Sequence, residues 1–157
     1  MRKVVVNLHK CLGCKSCELA CSLSHSGHES LAYALGTTPV RRIRLRRHGE
    51  AFAPVTCRHC LDAPCVFACI SGARQRTDDG IRTNDSRCVA CGMCYMVCPS
   101  GAIERNPATR SFASCDRCGD GEPRCVEACP TGALRLIEDE SAPSIYFEIL
   151  EASEVSS

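Results

Sequence analysis

The chain has 157 residues, 45% of them hydrophobic, and a formal net charge of +1. Sixteen of those hydrophobic residues are cysteines, Trp is absent, and there are only three Tyr and four Phe. This composition excludes an ordinary aromatic-rich core and indicates a disulfide scaffold or a metal protein; no segment approaches the roughly 18 apolar residues of a membrane span.

In chain order, residues 3–8 read as a short strand around the run Val4–Val6. The ten residues before Cys11 are too short for a secretory h-region, which points to a reducing, cytoplasmic setting. There, paired cysteines serve as metal ligands rather than disulfides. The first quartet is CLGCKSCELAC: Cys11, Cys14, Cys17 and Cys21. Beyond it, His25 and His28 read as solvated loop histidines. Residues 40–47, VRRIRLRR, alternate Ile43 and Leu45 with arginines, the pattern of a half-buried strand. The second quartet is Cys57, Cys60, Cys65 and Cys69, with His59 inside it as a donor to a sulfide or a shield. The third is Cys88, Cys91, Cys94 and Cys98, and the fourth Cys115, Cys118, Cys125 and Cys129. CISGA, CPSGA and CPTGA repeat one phrase at the close of the last three quartets. Short helices are expected to start near each fourth cysteine, and a last strand at 133–137. After Glu138 the chain is polar and acidic apart from SIYFEIL at 144–150, either a partner-binding segment or an edge strand.

Every cysteine belongs to a quartet. Zinc sites join two separated CxxC pairs, whereas the first and third quartets continue as CxxCxxC, a loop that delivers three thiolates to three corners of an iron–sulfur cube. CVACGMCYMVCP at 88–99 matches the bacterial run C-x2-C-x2-C-x3-C-P, whose fourth cysteine ligates the other cluster in two-cluster ferredoxins. Four quartets then make two interlocked pairs and four 4Fe-4S clusters. Spacing alone allows first with second and third with fourth as readily as outer with outer and inner with inner.

The order CxxCxxCxxxC, CxxCx4CxxxC, CxxCxxCxxxCP, CxxC…CxxxCP resembles the sixteen-cysteine iron–sulfur subunits of DMSO reductase, formate dehydrogenase, formate hydrogenlyase, carbon monoxide dehydrogenase and tungsten aldehyde oxidoreductase complexes. The resemblance implies a small α+β fold, a duplicated bacterial 2[4Fe-4S] ferredoxin with the clusters as its core. It implies that outer quartets pair together and inner ones together. Cys11, Cys14, Cys17 and Cys129 would then hold one cluster, and Cys115, Cys118, Cys125 and Cys21 the second. Cys57, Cys60, Cys65 and Cys98 would hold the third, and Cys88, Cys91, Cys94 and Cys69 the fourth. Residues 1–35 with 108–140 form the outer dicluster half on this reading, and 54–107 the inner half. Residues 36–53 are an Arg-rich strand insertion and 141–157 an acidic tail. Ile70 departs from the family's proline and adds an N–H beside a ligand. If that donor reaches a sulfur, it raises the potential of the cluster that Cys69 ligates.

Oxidised cubes with their thiolates carry −2 each, which takes the net charge from +1 to about −7. Arg58, Arg87, Arg117 and Arg124 adjoin cluster ligands and are expected to offset that charge. The arginines at 41–47 lack the aromatic interleaving of a nucleic-acid surface, and read as a docking or solvated face. No glycine-rich nucleotide motif follows a strand, and no nucleophile–base pair stands out. The expectation is a non-catalytic, cytoplasmic electron-transfer subunit whose folding is coupled to metal binding. Its expected partner is a larger metalloenzyme, foremost a tungsten (tungstopterin) aldehyde oxidoreductase-type enzyme. Carbon monoxide dehydrogenase, a hydrogenase or formate dehydrogenase complex, and copies of itself follow. A free-standing polyferredoxin and a structural zinc protein are the alternatives; neither nucleic acid nor membrane insertion is expected.

Overall fold

The computed structural model describes residues 2–28, 30, 32, 41–106, 109–119 and 121–138. The tail and its SIYFEIL segment lie outside them. In order come β1 (Arg2–Val6), a 3-10 turn (Leu8–Lys10), α1 (Ser16–His25), β2 (Ile43–His48), β3 (Ala51–Thr56), α2 (Pro64–Phe67), β4 (Arg74–Thr77) and β5 (Gly80–Thr83). A second 3-10 turn (Asp85–Arg87), α3 (Met93–Met96), β6 (Glu104–Arg105), β7 (Phe112–Ala113), α4 (Arg124–Glu127) and β8 (Leu134–Glu138) follow. The strands form two-stranded antiparallel ribbons only: β1 with β8, β2 with β3, β4 with β5 and β6 with β7. This is the small α+β class expected from the sequence. Such ribbons are marginal alone and need a shared core.

Two cores serve them. β1 runs against β8 with Val6 opposite Leu134 and Arg2 opposite Glu138, which brings the first and fourth quartets together. α1 packs on α4 there, and the buried cluster is Val6, Cys17, Cys21, Ile43, Cys125 and Leu134. In the other core α2 packs on α3, around Ala63, Cys65, Ile81, Cys94 and Ile103. Cysteine replaces aliphatic bulk in both.

Local sequence explains the boundaries. The strand expected at 3–8 ends at Val6, because the Asn7 side chain accepts the His9 N–H (3.0 Å) and caps the 3-10 turn that leads into Cys11. Asn84 repeats the device before Cys88, accepting the Ser86 N–H at 3.1 Å. The arginine-rich strand begins at Ile43 and turns back through Gly49 (φ 62) into β3, a partner the sequence pattern did not reveal. The helices differ from expectation. They contain the third cysteine of each quartet, and α2, α3 and α4 stop before the fourth. The fourth thiol thus sits just past a one-turn helix rather than at the start of one. The repeated phrase is a tight turn: Gly72, Gly101 and Gly132 adopt φ near +60 (61, 60 and 62) and donate to the carbonyls of Cys69, Cys98 and Cys129. The alanines that follow are buried.

Gly80 is the tightest approach at the β4–β5 turn. Its φ is +110, and a Cβ there would stand 2.5 Å from His59 Nδ1. The ring cannot easily retreat, because Nδ1 accepts the Ile81 N–H at 2.9 Å. Gly80→Ala is expected to cost about 2–4 kcal/mol through backbone strain and overpacking, read as a lowered thermal transition of the metal-loaded protein. An unchanged transition would contradict this packing.

Candidate metal centre

The binding loops share one backbone feature. The residue before the second cysteine is left-handed in all four quartets: Gly13 (φ 69), His59 (φ 49), Ala90 (φ 57) and Arg117 (φ 59). Three of these are not glycine, and each such residue costs about 1 kcal/mol. Strain of this kind persists where surrounding structure requires it. Left-handed residues in such loops turn backbone N–H groups toward one side, which suits an anionic cluster.

The thiols differ by position in the quartet, although Cys21 and Cys115 are buried as well. Third-position Cys17, Cys65, Cys94 and Cys125 are buried, and burial pushes Cys17 up to about 11 and raises Cys94 and Cys125. Fourth-position thiols instead accept backbone N–H groups. Arg42 donates to Cys21 Sγ at 3.1 Å, Arg74 to Cys69 at 3.3 Å, and Ala102 to Cys98 at 3.4 Å. The hydroxyls of Ser71, Ser100 and Thr131 lie 3.7, 3.5 and 3.7 Å from Cys69, Cys98 and Cys129. Burial works to raise these three thiols, but the N–H and hydroxyl donors leave each below its ordinary value. The Ser or Thr of the repeated phrase is therefore a sulfur partner, a role that its spacing two residues after cysteine signals.

Neighbouring thiols act on one another electrostatically across quartets. Cys129 acts on Cys14, Cys21 on Cys115 and Cys125, Cys98 on Cys60, and Cys69 on Cys94. Cys17 also acts on Cys125, Cys57 on Cys115, and Cys65 on Cys94. All sixteen cysteines are free. A tetrahedral zinc ion with Zn–S near 2.3 Å would hold its sulfurs about 3.8 Å apart. Among the described residues, the one group of three candidate ligand atoms within 4.8 Å of one another is His25, Asp116 and Cys118. No three thiols come that close, a spacing wider than mononuclear zinc requires.

Two histidines and an aspartate complete the surroundings. His25 is on α1, not in a solvated loop: Nε2 lies 3.1 Å from Asp116 Oδ1, and Nδ1 lies 2.8 Å from the Cys21 carbonyl. Arg42 also pairs with Asp116. Burial would lower His25, but Asp116 and Cys21 hold it raised, to about 10. His59 is 2% exposed. Because Nδ1 accepts from Ile81, Nε2 carries the proton, and it has no protein partner although buried. Burial, then the charges of Arg117, Arg82 and Arg74, push His59 down to about 3, so it is neutral. An orphaned N–H among cysteines is a fit for a cluster sulfur.

The predicted arginines separate. Arg117 is 3% exposed and its N–H donates to Cys115 Sγ at 3.3 Å. Arg124 instead points outward and pairs with Glu127 at 2.8 Å, while Arg87 is exposed. Arg74, buried beside the inner thiols, was not among those predicted. Ile70 is 77% exposed. The backbone donor to Cys69 Sγ is Arg74, and Ile70 makes no hydrogen bond to a cysteine sulfur among the described residues.

Residues 49–139 match the 4Fe-4S dicluster domain. The chain is 38% identical over 154 residues to an iron–sulfur protein of Rhodospirillum rubrum, covering 86% of this chain and 81% of that one. It is 32% identical to formate hydrogenlyase subunit 2 of Escherichia coli (strain K12), covering 88% and 82%. With AegA of the same organism it is 35% identical over 88% of its length, but spans only 22% of that longer protein. Among solved structures it resembles a chain of the active site complex BamBC of benzoyl coenzyme A reductase with zinc, at 27% identity and TM-score 0.51, covering 90% of this chain and 81% of that one. No helix among the described residues is long and apolar enough to cross a membrane. The chain belongs to the 4Fe-4S dicluster domain family and is an iron–sulfur electron-transfer protein.

Proposed function

We propose that the chain binds four 4Fe-4S clusters and serves as the electron-transfer subunit of a larger metalloenzyme, foremost one of tungsten aldehyde oxidoreductase type. Cys11, Cys14, Cys17 and Cys129 hold the first cluster, and Cys115, Cys118, Cys125 and Cys21 the second. Cys57, Cys60, Cys65 and Cys98 hold the third, and Cys88, Cys91, Cys94 and Cys69 the fourth. Each cube, when bound, supplies reversible one-electron chemistry.

The observation that carries this reading is the packing of thiols from different sets. Cys17 and Cys125 share one buried cluster and Cys65 and Cys94 the other, while Cys57 acts electrostatically on Cys115; each pair links one ligand set to the next. The four sets thus follow in a single order, with exposed Cys14 at one end and exposed Cys91 at the other. Such an order suits entry of electrons at one end and exit at the other. Residues 54–107 form the inner half on this reading, around the second core, and the paired chain ends form the outer half.

The surface supports a subunit over a diffusible carrier. Seven large hydrophobics of the inner quartets are exposed, including Phe67 (82%), Ile70 (77%), Val89 (61%) and Met96 (76%). An apolar area at one end of the thiol series is suited to a lasting interface. The tungsten reading rests on size, on ELACSLSHSG at 18–27 and on the arginine-rich strand after it. A formate hydrogenlyase-type complex is the second reading, favoured by the likeness to subunit 2.

Ligand exchange between quartets is tested by spectral matching. Cys129→Ser is expected to alter the same electron paramagnetic resonance signal as Cys14→Ser, and Cys21→Ser the same one as Cys118→Ser. If Cys129→Ser instead matches Cys118→Ser, each quartet holds its own cluster. For the partner, anoxic purification from native cells should give a complex containing tungsten, which Phe67→Glu with Met96→Glu dissociates at least tenfold while iron content is kept. Molybdenum or nickel in place of tungsten would move the partner to the second reading, and a chain that elutes alone would contradict a subunit.

A further inference from the structure

Arg74 occupies a position that the other repeats give to the core. The second quartet closes CISGAR, whereas the third and fourth close CPSGAI and CPTGAL. All three final residues are buried: Arg74 is 2% exposed, Ile103 1% and Leu134 2%. A guanidinium has therefore been placed where its equivalents are aliphatic. Burying a cation is costly unless a counter-charge accompanies it.

The described residues supply none. Nη1 donates to Thr83 Oγ1 at 2.9 Å and to the Phe112 carbonyl at 3.5 Å, and Nη2 to Ser114 Oγ at 2.8 Å. These are neutral acceptors. Among the described residues no carboxylate is ion-paired with Arg74, and its buried Nε has no partner. Arg74 bears on thiols of both inner ligand sets. The Arg74 N–H donates to Cys69 Sγ at 3.3 Å, and its charge acts on Cys57 and on Cys94, against the burial that raises both.

We propose that Arg74 is a positioning residue whose guanidinium is the built-in counter-ion of the two inner clusters, holding their potentials up and making the halves of the duplicated fold electronically unequal. The inference rests on the ligand assignment proposed above. Reduction adds one electron, and so one negative charge, to a cube; a fixed buried cation nearby favours that state. No proton is involved, because arginine stays protonated. A purely structural arginine, tying β4 to the 112–114 segment, would leave the potentials alone.

The test is a redox titration of the full-length, metal-loaded protein followed by electron paramagnetic resonance. Inner signals are identified as those lost in Cys60→Ser and Cys91→Ser. In Arg74→Leu, which installs the residue of the fourth repeat, the reduction constant of at least one inner cluster is expected to fall by about tenfold, roughly 59 mV for a one-electron couple. The signal lost in Cys14→Ser should stay in place, and Arg74→Lys should restore the inner one. A change below threefold at both inner clusters, with iron content intact, would overturn the inference. If Arg74→Leu and Arg74→Gln lose inner iron while Arg74→Lys keeps it, the counter-charge role is upheld; if Arg74→Lys loses it too, the role is hydrogen-bond geometry and the inference fails. Should Cys60→Ser and Cys91→Ser delete no separate signals, the ligand assignment fails first.

Discussion

The placement of Cys21 and Cys129 governs the rest of the molecule. Both lie one turn or more beyond the loop that carries their own quartet, and both meet thiols from the opposite end of the chain. Cys21 is buried with Cys125 in the core that β1 and β8 enclose, and Cys129 neighbours Cys14. Loop closure over so long a stretch is entropically unfavourable, and a five-residue ribbon is a weak clasp. Shared ligation to clusters, as proposed above, would offset that cost. The same arrangement in the inner half makes each core a packing of short helices around thiols, so metal binding and folding become one process.

Charge is the second constraint. A chain at +1 that takes up four oxidised cubes, as proposed above, comes to about −7. The response is graded by depth. Near the outer half, Asp116 is held well below the usual carboxylate range despite its burial, by His25 and Arg42, which leaves a compensated trio beside Cys21 and Cys118. Around His59 cations dominate instead: burial, then the charges of Arg117, Arg82 and Arg74, keep it neutral. Arg82 donates to the carbonyl of Asp116 and Arg117 to that of Arg2, both neutral acceptors. Positive charge thus concentrates where Cys57 and Cys115 meet.

Much of this was legible in the cysteines. Spacing gave the cube-binding loops, and the phrase CPxGA showed the duplication. The Val-rich start and the segment after Ala133 are strands as read, within a few residues at their ends, because β-branched and aliphatic residues signal them locally. Helix positions were misread: in a four-residue helix the third cysteine supplies the buried face, so no periodicity can build up around the fourth. His25 reads as solvated in the sequence, since its partner Asp116 comes from a distant quartet. Arg74 flanks no cysteine, so its signal lies only in a comparison across repeats, Arg against Ile103 and Leu134 at one core position.

The account turns on whether the four quartets fill four cubes rather than fewer clusters or single ions. Iron and acid-labile sulfide per chain, measured on anoxically purified full-length protein, test this most directly. The account predicts about 16 of each per chain, four per cube. About eight of each, or zinc without sulfide, would contradict it.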